Sequence, residues 1–558
     1  MTRAVTRAVN APPTAMSRRA WLAAAAALPL SACVRPADAS YSGGWVGANA
    51  ARGHRLRDLK SGALPAPAVQ RRAGVVVVGA GIAGLACARA LARSGIDDVQ
   101  VLELEDSAGG NARGHRIAGM ACPLGAHYLP LPDDSAVEVI ALLEELGLRR
   151  MVNGKAVYDE RHLCHSPQER LFIAGHWHDG LLPPVDALPA AQREATALQY
   201  RRFAQAVASV AGSFSMPTAR AAWSNDLSAL DAVPFAQWLD TQGFNAPALR
   251  WYLDYCCRDD YGAGAAQVSA WAGLHYFASR HGFHAPGEGA AERDGVLTWP
   301  EGNAWLGQRM AAPLAGRIHT GRVALRVTES RFDASIDVWN DAAQQVERWT
   351  APQVVLALPL FIAARLITTP PPALTQAAAS LRHSPWLVAN LHLDQALDDF
   401  PGAPPSWDNV QYDPERASPA LGYVDAMHQS TRPHPGPTVL TAYWALGGDS
   451  AAQLQAQRQR LLAEPWSAWA NAVLQDLAPA HADLASKVRQ VDLMRYGHAM
   501  AVPTPGVRSS ASLWALARHE GRVRFAHSDL SGYSVFEEAL YQGGRVAGQV
   551  VGAFARGR

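Results

Sequence analysis

The stretch that decides the fold is Gly74-Val75-Val76-Val77-Val78-Gly79-Ala80-Gly81-Ile82-Ala83-Gly84-Leu85. Its four valines predict a strand that is buried on both faces, as in a parallel sheet. The strand ends in a Gly-x-Gly-x-x-Gly turn, and a helical pattern begins directly after it. Such a turn lets the backbone approach a pyrophosphate, whose charge the helix N-terminus attracts. The stretch therefore predicts a dinucleotide site formed by Gly79, Gly81, Ile82, Ala83 and Gly84.

A second predicted strand, residues 99–102, ends in Glu103. An acidic residue about 20 residues after the glycine turn binds both hydroxyls of an adenosine ribose. The glycine motif alone also occurs as a purely structural turn. A complete unit of strand, turn, helix, strand and glutamate is much more specific for a bound dinucleotide.

Chain length, net charge and cysteine content exclude several other classes of protein. A chain of 558 residues is too long for one simple core, so we expect two domains. The formal net charge is +1, which gives no electrostatic reason to expect nucleic acid as a partner. The six cysteines show no Cys-x-x-Cys spacing, so neither a metal site nor a disulfide framework is predicted.

Residues 1–33 are predicted to be a targeting signal and not part of the fold. Ser17-Arg18-Arg19 precedes a short apolar run, and this pattern resembles a twin-arginine export signal. Leu30-Ser31-Ala32-Cys33 resembles a lipobox, in which Cys33 would carry a lipid anchor to the membrane. Val34 then favours the outer membrane, facing the periplasm. A fortuitous alanine-rich N-terminus is the alternative. Residues 34–72 are expected to form a tether and an N-terminal extension.

Two segments after Glu103 carry a family resemblance: Ala108-Gly109-Gly110-Asn111-Ala112-Arg113 and Pro123-Leu124-Gly125-Ala126-His127-Tyr128. With them the chain resembles the flavin amine oxidase superfamily, which includes monoamine and polyamine oxidases and phytoene-desaturase-like enzymes. The resemblance implies that the Arg113 charge balances a phosphate of FAD. It also implies that backbone near the flavin comes from Gly110, Gly125, Ala126 and His127.

The resemblance continues to the C-terminus. Strand patterns follow Gly321, and the family has a backbone contact to adenine at the position of Val323. Arg524-Phe525-Ala526-His527-Ser528-Asp529 and Glu537-Glu538-Ala539 resemble the closing motifs of the family. In relatives the last helix points its N-terminus at the flavin, where its dipole stabilises the reduced anion. The implied cofactor contacts here are Ser528, Asp529, Glu538 and Ala539.

The implied fold class is α/β, with a Rossmann-like FAD-binding domain of the GR2 type and an interleaved α+β substrate-binding domain. The FAD-binding domain would comprise residues 73–145, 296–365 and 491–558. The substrate-binding domain would comprise residues 146–295 and 366–490. Within the latter, helices are predicted over residues 192–211 and over residues 454–476, with a break at Pro465.

Dense clusters of polar and aromatic residues at 251–262 and 269–277 admit two interpretations. One is a helical core with ion pairs such as Arg258 with Asp259 or Asp260. The other is a pocket with aromatic walls and carboxylates, suited to a cationic amine. For that pocket we single out Asp260, Tyr261, Trp271 and Tyr276, with His275 as a candidate base.

Arg495-Tyr496-Gly497-His498 lies where monoamine oxidases carry the cysteine that binds flavin covalently. The chain has no cysteine here, so we predict noncovalent FAD, although a histidine linkage is chemically feasible. Tyr496 and His498 are expected near the flavin ring, and Tyr533 is a candidate for an aromatic wall. No lysine matches the lysine that many relatives place near flavin N5, and His498 is a candidate to replace it.

The function expected from the resemblance is a FAD-dependent oxidoreductase acting on a C–N bond of an amine or polyamine. Hydride transfer to flavin N5 would be followed by imine hydrolysis, and oxygen or a respiratory carrier would accept the electrons. One alternative is a phytoene-desaturase-like desaturase or isomerase of an apolar substrate. Another is a noncatalytic prenyl-binding carrier without flavin. Carboxylates in the pocket would favour an amine, and a wholly apolar tunnel would favour a lipid.

Overall fold

The computed structural model describes residues 41–60, 64–286, 295–415, 418–430, 432 and 434–556. The predicted twin-arginine motif and the lipobox with Cys33 lie outside these residues. Within them, no helix combines the length and the apolar character that crossing a membrane requires.

A five-stranded parallel sheet forms around the predicted valine strand. Val75–Val78 is its central strand, and all four residues are buried. In spatial order the strands of this sheet are Ile318–His319, Val99–Leu102, Val75–Val78, Gln353–Leu356 and Val523–Phe525. Strands far apart in sequence are therefore neighbours, as the resemblance implied, and the predicted α/β fold class is confirmed.

Two helices pack side by side on this sheet. The glycine-turn helix, Ile82–Arg93, begins directly after Gly81, and the closing helix, Phe536–Arg556, runs along it. Gly84 permits the tight join to the strand, because a Cβ there would lie 1.9 Å from the backbone oxygen of Gly79. The N-termini of both helices therefore lie in the same small region.

A four-stranded sheet flanks the parallel sheet. Its strands are Arg322–Glu329, Ala334–Asn340, Gln345–Ala351 and Val69–Arg72. Val69–Arg72 belongs to the segment that we expected to be a tether and an extension. The described part of that segment also supplies a strand, Ser42–Trp45, and a helix, Ala50–Lys60, that packs on the strand Arg322–Glu329. Residues 41–60 and 64–72 are thus integral to the fold and do not form a tether.

The largest sheet has eight strands and carries most of the predicted substrate region. In spatial order they are Ser42–Trp45, Val488–Val502, Arg382–Leu393, Thr438–Ala445, Ala420–Asp425, Asp408–Gln411, Glu169–Ile173 and His176–Asp179. Three two-stranded ribbons complete the strands of the described chain, namely Tyr128–Pro130 with Val296–Thr298, Gly114–Ile117 with Met120–Pro123, and Arg149–Val152 with Lys155–Tyr158.

The remaining α-helices lie mostly against the large sheet and around the chain crossovers. The two predicted helical regions are observed as Ala190–Val210 and as the pair Ala451–Ala463 and Trp466–Leu477, which Pro465 separates. A proline lacks the backbone donor that would continue the first helix. The other helices are Val137–Glu145, Asn225–Asp231, Phe235–Thr241, Pro247–Tyr261, Ala270–Tyr276, Ala304–Ala311, Leu360–Leu366, Pro372–Ser380, Leu484–Lys487 and Ala511–Ala517.

Candidate functional site

A long cavity runs along the C-terminal edge of the parallel sheet, and we call it the cofactor cavity. It brings together many of the predicted cofactor contacts, with His498 at its wall. These are Gly79, Gly81, Ile82, Ala83, Glu103, Gly110, Ala126, Ser528, Asp529 and Ala539. Sequence segments separated by hundreds of residues therefore meet at one groove.

The glycine turn has the geometry that a diphosphate needs. Gly81 caps the glycine-turn helix, and no side chain bonds to the backbone N–H groups of its first turn. These N–H groups and the helix dipole attract an anion. A Cβ on Gly110 would lie 3.1 Å from the Cα of Gly81, so glycine is required where the two backbones approach. The turn therefore fits the phosphates of FAD.

Glu103 is held rigidly at the other end of this groove. Its carboxylate accepts hydrogen bonds from the backbone N–H groups of Ala80, at 2.7 Å, and Glu105, at 2.8 Å. Burial raises the pKa of Glu103, and these two N–H groups and Arg113 oppose that rise. The fixed carboxylate lies in the cavity lining, where it fits the ribose hydroxyls of an adenosine.

Three histidines and one aspartate surround the opposite part of the cofactor cavity. His383 Nε2 lies 3.1 Å from Oδ1 of Asp529. The other carboxylate oxygen of Asp529, Oδ2, accepts the backbone N–H of Leu360 at 2.9 Å. Burial alone would raise the pKa of Asp529, but charge on His527 and His383 lowers it well below its usual range. Asp529 therefore fixes His383 and the start of the helix Leu360–Leu366, in addition to lining the cavity.

The imidazole ring of His498 packs against the ring of Phe361, and the two ring centroids are 4.6 Å apart. Burial lowers the pKa of His498 to about 3, and the charge of Arg458 acts in the same direction. Its imidazole is therefore neutral at ordinary pH. It can donate or accept a hydrogen bond beside a bound cofactor, but it is a weak base.

A second cavity adjoins the first and is called the substrate cavity below. The two share the residues Asn111, Ala126, Ala499, Ser534, Val535 and Phe536 in their walls, so they are contiguous. Gly125 and His127, which we expected at the flavin, line only the substrate cavity. His127 stacks on Tyr443 at 4.3 Å, and burial lowers the pKa of His127 to about 3.

Aromatic side chains form much of the wall of the substrate cavity. Tyr496 donates its hydroxyl to the backbone oxygen of Leu124 at 2.8 Å, and Tyr443 donates to that of Gly125 at 3.1 Å. Both hydroxyls are thus tied to one segment of backbone. Trp386 and Tyr128 complete the aromatic part of the wall. Such faces can bind alkyl chains or a cation.

Acidic groups occupy another part of the same wall. Asp260 pairs with Arg280, whose Nε also lies 3.1 Å from Glu537. Asp259 lines the cavity beside this group. The ion pair that we considered between Arg258 and Asp259 or Asp260 is not formed, because Arg258 pairs with Asp254 at 3.3 Å. The carboxylates therefore face the cavity.

Several predicted catalytic and substrate residues lie in the core behind these walls. Tyr533 is fully buried and donates to Glu538 at 3.1 Å, and Tyr261 donates to the backbone of Ala272 at 2.9 Å. Neither lines the two cavities. The same holds for Trp271, His275 and Tyr276, which pack in one apolar cluster with Tyr533. Of the four residues predicted to contact substrate, only Asp260 reaches the cavity.

Besides Gly125 and His127, four predicted cofactor contacts do not line the cofactor cavity, and the first of them, Gly84, packs against the backbone of Gly79. Arg113 donates to the backbone oxygens of Gly47 and Gly110, and Val323 is buried in an apolar cluster with Leu56. Glu538 accepts the backbone N–H of Thr218 and the hydroxyls of Ser531 and Tyr533. The N-terminal segment, which the sequence did not reveal as structural, supplies one backbone partner of Arg113 and part of the cluster around Val323.

Several residues of the site were missed or misread in the sequence, and Arg280, the partner of Asp260, is one of them. Trp386, Tyr443 and His383 lie on central strands of the eight-stranded sheet, where their alternation resembles that of any buried strand. Asp259 was noted only as an ion-pair candidate. Its position directly before Asp260 was the available signal, because two adjacent acids on a buried helix need partners.

A family model described as flavin containing amine oxidoreductase matches residues 82–551. The chain belongs to this family. It is 27% identical over 295 residues to a putative flavin-containing monoamine oxidase, AofH, of Mycobacterium tuberculosis. That alignment covers 51% of this chain and 56% of the relative, so the chain spans little more than half of that protein.

Solved structures of other proteins share the fold. A putrescine oxidase variant superposes with a TM-score of 0.62 at 18% identity, over 87% of this chain and 100% of the other. A fatty acid isomerase from P. acnes superposes with a TM-score of 0.60 at 15% identity, over 86% and 98%. At these identities the likeness establishes the architecture, and the chemistry has to be argued from the site.

Proposed function

We propose that this protein is a FAD-dependent oxidoreductase that oxidises a C–N bond of an amine or polyamine. Bound FAD would supply the two-electron chemistry, taking a hydride from the carbon next to nitrogen before the imine is hydrolysed. The observation that carries the proposal is the substrate cavity. It has aromatic and acidic walls, and it shares part of its wall with a cavity that fits FAD.

Backbone and side-chain groups of the protein would hold and orient FAD and the amine. The backbone N–H groups at the start of the glycine-turn helix bind the phosphates, and Glu103 binds the ribose. The closing helix starts at Phe536, which lines both cavities, so its positive end faces the region between them. His498 and His127 are neutral, so these two side chains place no positive charge beside a reacting amine.

The second candidate function, desaturation or isomerisation of an apolar molecule, is less well supported. The fold accommodates such chemistry, as the fatty acid isomerase illustrates. Against it stands Asp259 in the cavity wall, because an apolar ligand would desolvate this carboxylate without supplying a partner. A carrier without flavin is disfavoured by Glu103, whose carboxylate is held in the lining of the cofactor cavity by two backbone N–H groups.

The decisive experiment is anaerobic reduction of the purified holoprotein with polyamines, monoamines, amino acids and isoprenoids. We expect amines to bleach the flavin absorbance. Bleaching by isoprenoids alone would replace the proposal with the second candidate. A protein that binds no FAD would support the carrier. Peroxide formation on admitting air would then identify oxygen as the electron acceptor, and its absence would point to a respiratory carrier.

We further propose that FAD is noncovalent and that the protein is exported to the periplasm with a lipid anchor. Both rest on the sequence, through the lack of a cysteine at 495–498 and the motifs at 17–19 and 30–33. Acid precipitation should release all the FAD. Replacing Arg18 and Arg19 with lysine should retain the protein in the cytoplasm, and Cys33→Ala should move it from the membrane to the soluble fraction.

A further inference from the structure

Asp259 differs from the acids around it. Asp260 and Glu537 share the guanidinium of Arg280, whereas no basic side chain of the described chain forms an ion pair with Asp259. Asp259 nevertheless lines the substrate cavity, on the helix Pro247–Tyr261. A carboxylate at a cavity wall without a cation is costly, and either protonation or a bound cation relieves that cost.

The surroundings of Asp259 add to the negative potential. Asp260 is 5% exposed and lines the same cavity, and its Oδ2 atom has no hydrogen-bond partner, nor has Oε2 of Glu537. Asp260 and Glu537 therefore share one guanidinium, and Asp259 beside them has no ion-pair partner among the described residues. Glu169 and Asp408 add negative charge near Asp259, Arg258 and Arg280 oppose it, and His127 in the wall is neutral. An unsatisfied carboxylate oxygen in a confined acidic wall favours a bound cation.

The position of Asp259 separates it from the reacting end of the cavity. Asp259 is not part of the cofactor cavity, whose shared wall is formed by residues such as Ala499 and Phe536. Its charge raises the pKa of Tyr443 and Asp408, neither of which lines the cofactor cavity. Asp259 thus acts on the part of the substrate cavity away from the flavin groove.

The chemistry of amine oxidation excludes the reacting nitrogen as the partner of Asp259. An ion pair with a carboxylate stabilises the protonated amine, but hydride can leave only from a carbon next to an unprotonated nitrogen. Building on the proposed function, we propose that Asp259 binds a second, protonated amino group, so that the enzyme selects diamines and polyamines over monoamines of equal length.

Burial, followed by repulsion from Asp260, raises the pKa of Asp259 to about 7. A bound ammonium would relieve both effects, because it supplies the missing positive charge. Selectivity for the second amino group should therefore be strongest above pH 7, where the carboxylate is ionised.

The test compares linear diamines with monoamines of the same carbon number on the holoenzyme at pH 8. Anaerobic stopped-flow reduction gives the Kd and the limiting rate separately. We expect the wild type to bind the best diamine at least about 10-fold more tightly than its monoamine, the scale of one charged hydrogen bond. Asp259→Asn should raise the diamine Kd about 10- to 100-fold, with the monoamine Kd and both limiting rates nearly unchanged.

Two further variants sharpen the result. Asp240→Asn removes the same charge from an exposed aspartate whose side chain is 68% accessible, and it should leave both Kd values unchanged. Asp259→Glu keeps the charge but extends the side chain by one methylene, so the preferred diamine should become shorter by about one carbon. This variant remains informative if Asp259→Asn fails to fold.

Other results would overturn the proposal. Equal loss of monoamine and diamine binding in Asp259→Asn would make the residue a general structural element. A wild type without preference for diamines would reject the proposal outright. If no amine reduces the flavin, the proposed function fails, and calorimetric titration with diamines then decides about Asp259. Diamine binding that Asp259→Asn abolishes supports the subsite, and no binding to the wild type refutes it.

Discussion

Replacement of Gly543 on the closing helix tests whether the cofactor cavity depends on close packing of this helix against the glycine-turn helix. A Cβ at this position would lie 2.2 Å from the backbone oxygen of Ala83 and 2.7 Å from the Cβ of Ala86. The oxygen belongs to the glycine-turn helix and cannot rotate away. Gly543→Ala must therefore push the two helices apart by about 1 Å, the difference between this approach and an ordinary contact.

We expect the displacement to reduce both stability and FAD binding. Overpacking of this kind costs about 1–3 kcal/mol, and contact with a backbone atom places Gly543→Ala near the upper end. The same movement shifts Ala83 and Ala539, which line the cofactor cavity on the two helices. FAD retention should fall with the melting temperature, which we expect to drop by several degrees.

The neighbouring glycine is the matched control. A Cβ on Gly544 would meet no atom within 4 Å, so Gly544→Ala should stabilise the helix by about 0.5–1 kcal/mol. Thermal unfolding with and without added FAD, together with gel filtration to measure FAD retention, compares the two variants. Equal melting temperatures and equal FAD retention would refute the close helix packing described above.

Three other predictions concern charge at the two cavities. Glu103→Gln should weaken FAD binding about 10- to 100-fold, because the uncharged amide must turn a donor towards Ala80 N–H or Glu105 N–H; an unchanged Kd by FAD titration would contradict this. Because the folded state raises the pKa of Asp259 from 3.8 to about 7, stability is lost as pH rises through this interval. Asp259→Asn should thus raise the melting temperature at pH 8 and leave it near that of the wild type at pH 4, and equal shifts would refute the reasoning. With a pKa of about 3, His498 should contribute no ionisation above pH 5, so His498→Asn should keep the wild-type pH profile of the limiting flavin-reduction rate; loss of an ionisation between pH 6 and 8 would show otherwise.

Local backbone geometry made the cofactor groove predictable. Gly79, Gly81 and Gly84 act within one turn between adjacent elements, and their spacing reports directly on a strand, a tight turn and a helix N-terminus. The same holds for Pro465, which interrupts a helical pattern, and for Glu103 at the end of a buried strand. In each case the physical requirement is met within a few residues, so the sequence alone determined it.

The substrate cavity depended on contacts that no local pattern records. Asp260 and Tyr261 are adjacent on one helix, yet Asp260 faces the cavity and Tyr261 is buried against Ala272. Tyr533 looked like an aromatic wall but is turned into the core by its bond to Glu538. Only the packing of the helices on the large sheet decides which faces of those helices reach the cavity.

The N-terminal segment shows the same difference between what the sequence predicts and what tertiary packing decides. Its composition predicted a tether and an N-terminal extension. Its strands and helix are short, and they are not amphipathic enough to predict a position in the core. The edge of the large sheet and the strand Arg322–Glu329 supply its partners from residues far along the chain. Sequence alone determined the glycine turn and the position of Glu103, which we propose bind the phosphates and the ribose of FAD. Tertiary structure decided which residues form the substrate cavity, because its walls come from segments that meet only after folding.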